Sequence, residues 1–188
     1  MSLLAPSLRS ALGTTDRLLG AADVSVLDEQ LYILVAGGGV AHGNPRVPNG
    51  VYRLDSEAGI ELVAGPSGWH WANPATAVNP LDYDPDGQPT SMTVVGEELW
   101  VVETNGGQIL RIAVDGTIGR VVDLSATRLE LTEIISSPSG GAFVATMGTM
   151  PPVDRAAKVM EVTPDGTFAD VWTGGTSKRL RSRSVKKG

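Results

Sequence analysis

Three successive segments spell one order of four short apolar runs. Two of them carry Asp-Gly at the same hairpin position, and 23 glycines and 12 prolines lie scattered between the runs. These observations predict an all-β chain, a β-propeller fragment of about three four-stranded antiparallel blades. An irregular segment over residues 1–20 precedes the blades, which span 21–173, and a basic, disordered tail over 174–188 follows them.

The first blade, about 21–65, reads DVSVL, LYILVA, GVYRL and IELVA, with Glu57-Ala58-Gly59 closing its last hairpin. An insertion over 66–89 follows. The second blade, about 90–125, is the cleanest: TSMTVV, ELWVVE, QILRIAV and TIGRVVDL, divided by Gly96, Asn105-Gly106-Gly107 and Asp115-Gly116. The third, about 131–173, reads LTEIIS, AFVATM, AKVMEVT and TFADVW, with Asp165-Gly166 in the same hairpin slot. Each run has strand length, β-branched or aromatic content and turn residues at its ends. Aligning the second strands makes Tyr32, Trp100 and Phe143 equivalent. A sandwich or barrel shares such strand spacing but does not require every unit to resemble the next. The one helical candidate is near residues 6–20, where Pro6-Ser7 can cap a turn. Propellers close with 4 to 8 blades, so three leave two faces open. The chain is incomplete, or associates with copies of itself through those faces, or buries them another way.

Charge narrows the partners. The net charge of −6 hides an asymmetry, because residues 173–188 hold six of the 15 Lys and Arg and none of the 21 acids. The remaining body, with nine basic and 21 acidic residues, stands at −12 and repels phosphates. Nucleic acid and anionic membranes are therefore unsuited to the folded part. With no cysteine there are no disulfides, thiolate nucleophiles or cysteine metal sites. No apolar stretch approaches the roughly 20 residues a membrane helix needs; the start, MSLLAPSLRSALG, has no basic region followed by a sustained apolar segment, so no signal peptide is identified there, although a trimmed one is compatible with it.

The runs SGWHWANP, LDYDPDGQPTSM, LWVVETNGGQILRI and DGTIGRVVDLSAT, with VAGGG and NGVYRLD upstream and AAKVMEVTPDG downstream, resemble the ScyD/ScyE family of β-propellers. The resemblance covers roughly residues 30–173, and its most specific piece is the insertion between the first two blades. It implies a propeller fold, a full-length member about twice this long and export from the cell; it implies no particular chemistry. Where the family pattern continues after Val171-Trp172-Thr173-Gly174 into another blade, this chain turns to GTSKRLRSRSVKKG. That switch suggests a frameshift or truncated reading frame. A nuclear-localisation or nucleic-acid tail, or a solvated tail without function, are the rival readings.

Asp82-Tyr83-Asp84-Pro85-Asp86-Gly87 is the best chemical motif. Asp82, Asp84 and Asp86 can fold around one Ca²⁺, with Gly87 permitting the sharp turn. Thr93 stands where a bidentate Glu is expected, and Asp, Pro and Gly also make an acidic surface turn without any metal. Trp69-His70-Trp71-Ala72-Asn73 is the second cluster. On an extended backbone Trp69 and Trp71 share one face and His70 points away, which gives a binding platform for a ligand or a plug that packs the insertion onto a blade. Glu103 and Asn105 end the middle blade's second strand, where they can hold a cation, act as a base or cap the hairpin. His42 lies in GGGVAHGNP, whose glycine spacing and prolines rule out a dinucleotide loop. Two histidines, no Cys and no Gly-x-Ser-x-Gly leave no cast for a nucleophilic triad.

The leading expectation is a noncatalytic propeller scaffold or binding module, for a small molecule or a protein. Its rivals are a calcium-dependent lactonase-like hydrolase with Glu103 as base and an inactive fragment of a truncated gene.

Overall fold

The computed structural model describes residues 20–55, 59–81 and 83–175. The predicted tail (but for Gly174 and Gly175), the N-terminal helical candidate and Asp82 lie outside them. Among the described residues twelve strands form three four-stranded antiparallel sheets, each in chain order. The first sheet holds β1 (Gly20–Leu27), β2 (Gln30–Ala36), β3 (Gly50–Asp55) and β4 (Gly59–Ala64). The second holds β5 (Pro89–Val95), β6 (Glu98–Glu103), β7 (Gln108–Ala113) and β8 (Ile118–Asp123). The third holds β9 (Leu129–Ser136), β10 (Ala142–Thr149), β11 (Ala157–Val162) and β12 (Phe168–Gly175). β12 thus runs two residues into the stretch assigned to the tail.

The sheets stack as blades. Their first strands line up side by side, β1 against β5 and β5 against β9. Two apolar seams result. Tyr32, Leu34 and Val51 of the first blade meet Met92, Leu99, Val101 and Ile112 of the second. Trp100, Val102 and Ile109 meet Ile134, Val144, Met160 and Val162 of the third. This is why ELWVVE reads as nearly continuous apolar residues: from Leu99 to Val102 both faces of β6 are buried. Strand register places Tyr32, Trp100 and Phe143 in the same cross-strand row of successive blades.

The Asp-Gly turns do more than reverse the chain. Gly116 has φ +89°, and a Cβ there would stand 2.5 Å from the Val63 carbonyl oxygen of the preceding blade. Gly166, with φ +83°, would meet Val121 O at 2.4 Å in the same way. Each turn therefore needs glycine both for its conformation and for the approach of blade to blade.

The insertion contains an α-helix that the motifs do not announce. α1 (Pro66–Ala72) starts with proline in its first turn after Gly65, and Asn73 closes it by donating its N–H to Trp69 O at 2.9 Å. No helix among the described residues is long and apolar enough to cross a membrane.

Candidate functional site

A pocket of about 170 Å³ opens where the insertion lies over the end of β6, lined by His70, Pro74, Ala75, Val78, Tyr83, Asp84, Gly87, Glu103, Asn105 and Gln108 among others. One wall is apolar, one is polar, and among the described residues no Lys or Arg lines it. The insertion supplies one side because α1 carries His70 in its last turn. The β6–β7 connection supplies the other.

Correcting the expectation of an extended backbone, residues 69–71 are helical, so Trp69 and Trp71 do not share a face: two positions along a helix are about 200° apart. Trp71 is 68% exposed and outside the pocket. Trp69 meets the His70 ring edge to face at 5.7 Å, and the Arg120 guanidinium lies over the Trp69 ring at 5.2 Å. Arg120 also donates to Asn73 O at 2.5 Å, Pro74 O at 3.1 Å and Gln108 Oε1 at 3.0 Å. It pins the end of α1 to the middle blade. Asn73 serves this joint and the helix end, its Nδ2 donating to Trp69 O at 3.0 Å.

His70 is the group left open. Its Nε2 is buried and has no hydrogen-bond partner. Burial, reinforced by the positive charge of Arg120, pushes its pKa down to about 4, so at neutral pH the ring is uncharged. Glu103 faces the same place: a side chain on Gly87 would meet His70 Nε2 and Glu103 Oε1, each at 3.3 Å. Glu103 is 2% exposed. Its Oε1 accepts the N–H of Gln88 at 2.8 Å and its Oε2 that of Gly106 at 2.6 Å. Those bonds favour the carboxylate, but burial outweighs them and, helped by nearby Asp84, raises the pKa to about 7. Glu103 is thus both a clamp from the middle blade onto the insertion and a pocket wall beside Asn105.

The described carboxylates of the acidic loop bond to protein groups. Asp84 Oδ2 lies 2.5 Å from Nε2 of His42, whose Nδ1 faces Gly38 O at 2.7 Å. Gly38 O can only accept, so His42 Nδ1 donates there. Asp84 Oδ1 accepts the N–H of Asp86 at 3.1 Å, and Asp86 Oδ2 that of Ala41 at 2.6 Å. Among the described residues no group of three His, Asp or Glu side chains is placed to hold a metal; Asp82 is not among them. Asn49, overlooked in the motifs, is fully buried at the centre of the joint. It accepts from Gly38 N at 2.6 Å and donates to Gly87 O at 2.7 Å and Asp86 O at 3.0 Å. The signal for it was its place just before β3, at the closing end of the glycine-rich loop.

No family model matches the chain, and no curated protein matches it in sequence. Solved structures do match in fold. A catalytically inactive virginiamycin B lyase from Staphylococcus aureus, solved with quinupristin, superposes with TM-score 0.56 at 12% identity over 84% of this chain and 43% of its own. A Bacteroides thetaiotaomicron protein of unknown function gives 0.52 at 13% over 84% and 34%. A nidogen/laminin complex gives 0.51 at 10% over 85% and 53%. The chain therefore spans between a third and about half of the length of these three structures. Likeness at such identity speaks of the fold alone, and with three four-stranded blades stacked in chain order, that fold is the β-propeller.

Proposed function

We propose that this chain is a noncatalytic β-propeller binding module whose pocket takes a small neutral or cationic molecule carrying hydrogen-bond donors. The carrying observation is the pocket between α1 and the β6–β7 turn, with the unpartnered His70 Nε2 and the Glu103 carboxyl facing one point and no basic side chain in the lining. A buried polar atom without a partner costs about 1–3 kcal/mol, which a ligand able to bond it recovers. Apolar walls from Pro74, Ala75 and Val78 supply contact area, and Asp84 and Glu103 set the charge preference. The ScyD/ScyE-like reading belongs here too, since the most specific stretch of that resemblance is the insertion that walls the pocket.

A catalytic reading would use the Glu103 carboxyl, poised near neutrality, as a base. Both of its oxygens already accept main-chain N–H groups, which favours holding over proton transfer. One structural neighbour is a lyase, but its likeness is one of fold.

Isothermal titration with benzamidine and with benzoate tests the proposal. Benzamidine binds and benzoate does not, and Ala75→Trp, which fills the pocket, abolishes the heat with an unchanged circular dichroism spectrum. Absence of benzamidine binding, or binding that survives Ala75→Trp, overturns it.

A further inference from the structure

The pocket over the middle blade has the size of a side chain. Its volume of about 170 Å³ falls below the roughly 300–1,000 Å³ of sites that enclose a whole drug-sized ligand, so a larger partner enters it by one protruding group. The middle blade packs against a neighbour on each side within the chain, and the site therefore does not lie at either end of the stack.

The chemistry of the lining selects that group. His70 Nε2, buried and without a hydrogen-bond partner, and Glu103 Oε1 each lie 3.3 Å from the point where a Cβ on Gly87 would stand. A planar cation with N–H groups on two arms can donate to both at once, to the lone pair of the uncharged ring and to the carboxyl. A guanidinium has that fork, whereas an ammonium is a compact, strongly hydrated point charge. Asp84 adds a second acid to the lining, and Pro74, Ala75 and Val78 give an apolar wall for a methylene stem. Arg120 stands outside the lining, engaged by the Trp69 ring, two main-chain carbonyls and Asp123 at 3.8 Å.

The rim carries a second signal. Leu81 is 75% exposed, Trp71 68% and Tyr83 56%, and Tyr83 also lines the pocket. Large apolar side chains scattered singly over a surface are ordinary. Three on one insertion beside a pocket offer contact to the residues that flank an anchor. The acidic body, with nine basic and 21 acidic residues, draws a cationic partner to the chain.

We infer that the pocket holds the side chain of an arginine from a partner polypeptide, whose apolar neighbours in sequence lie against Trp71, Leu81 and Tyr83. This assignment rests on the pocket being a binding site and names the group it takes. Arginine supplies the charge for the two acids, the N–H groups for His70 and Glu103, and the stem for the apolar wall.

Isothermal titration with Ac-Leu-Arg-Leu-NH2, its lysine and citrulline counterparts, Ac-Arg-NH2 and benzamidine tests it. The arginine tripeptide binds about tenfold or more tighter than the lysine and citrulline tripeptides, which leave a buried polar group or a charge unanswered. It binds about threefold or more tighter than Ac-Arg-NH2, which has no apolar flanks. Ala75→Trp abolishes its heat with unchanged circular dichroism, and Val78→Trp replaces that variant if it does not fold. Equal binding of the lysine or citrulline tripeptide, equal binding of Ac-Arg-NH2, or binding that survives filling of the pocket overturns the inference. Benzamidine binding without binding of the arginine tripeptide overturns this assignment alone and leaves the pocket a binding site; the absence of both overturns the two together.

Discussion

His42 and Asp84 meet at 2.5 Å across 42 residues of chain, both nearly fully buried. Two motifs that look separate in the sequence, the glycine-rich loop after β2 and the acidic loop before β5, are thus partners. Together with Asn49 and Asp86 they fasten the insertion over the first blade, which places the pocket wall.

Breaking that pair removes a buried contact that joins the two loops, while Asp84 still accepts the Asp86 N–H or His42 still bonds Gly38 O. Asp84→Asn or His42→Ala should cost about 3–5 kcal/mol of stability, measured by urea denaturation.

Glu103 and His70 pull the pH dependence of stability in opposite directions. The Glu103 pKa rises to about 7 on folding, so the folded state holds this proton more tightly than the unfolded chain. Its contribution is present below its ordinary range, near 4.5, and is lost as pH rises to about 7. The His70 pKa falls to about 4, so its contribution is present above about 6.5 and is lost as pH falls towards 4. Each is on the order of 3 kcal/mol across its window, and the two nearly cancel between. Glu103→Gln should lower stability overall and leave a curve that falls towards acid. His70→Gln should leave one that falls towards base. Denaturation midpoints from pH 4 to 8 read both slopes.

The glycines at the blade seams give a graded test. Gly140→Ala, at φ +89° in open space, should cost about 1–2 kcal/mol from backbone strain alone. Gly116→Ala and Gly166→Ala carry the same strain and also drive a methyl group into Val63 O and Val121 O. Both should lose clearly more than Gly140→Ala, and by similar amounts, since the two contacts are equivalent.

Much of this architecture was legible in the residues. The blades were, because their strands are defined by local alternation and their turns by Asp-Gly at a fixed slot, and because Tyr32, Trp100 and Phe143 repeat in register. The helix over residues 66–72 was not. Seven residues with a glycine in the first turn carry almost no periodic signal, and its stability comes from Arg120 and Asp86, which lie elsewhere in the chain. Pro66 after Gly65 was the one local sign. Without the helix Trp69 and Trp71 looked like one platform, whereas only Trp69 is packed. Glu103 with Asn105, and His70 within the Trp69–Asn73 run, were picked out as two separate clusters; that they share one pocket depends on how a 24-residue insertion folds back over β6, which no motif encodes.

The most direct test is a crystal structure of the chain soaked in benzamidine. The account predicts the amidinium between His70 Nε2 and Glu103, with the ring against Pro74, Ala75 and Val78. Benzamidine seated elsewhere while this pocket stays unoccupied would contradict it.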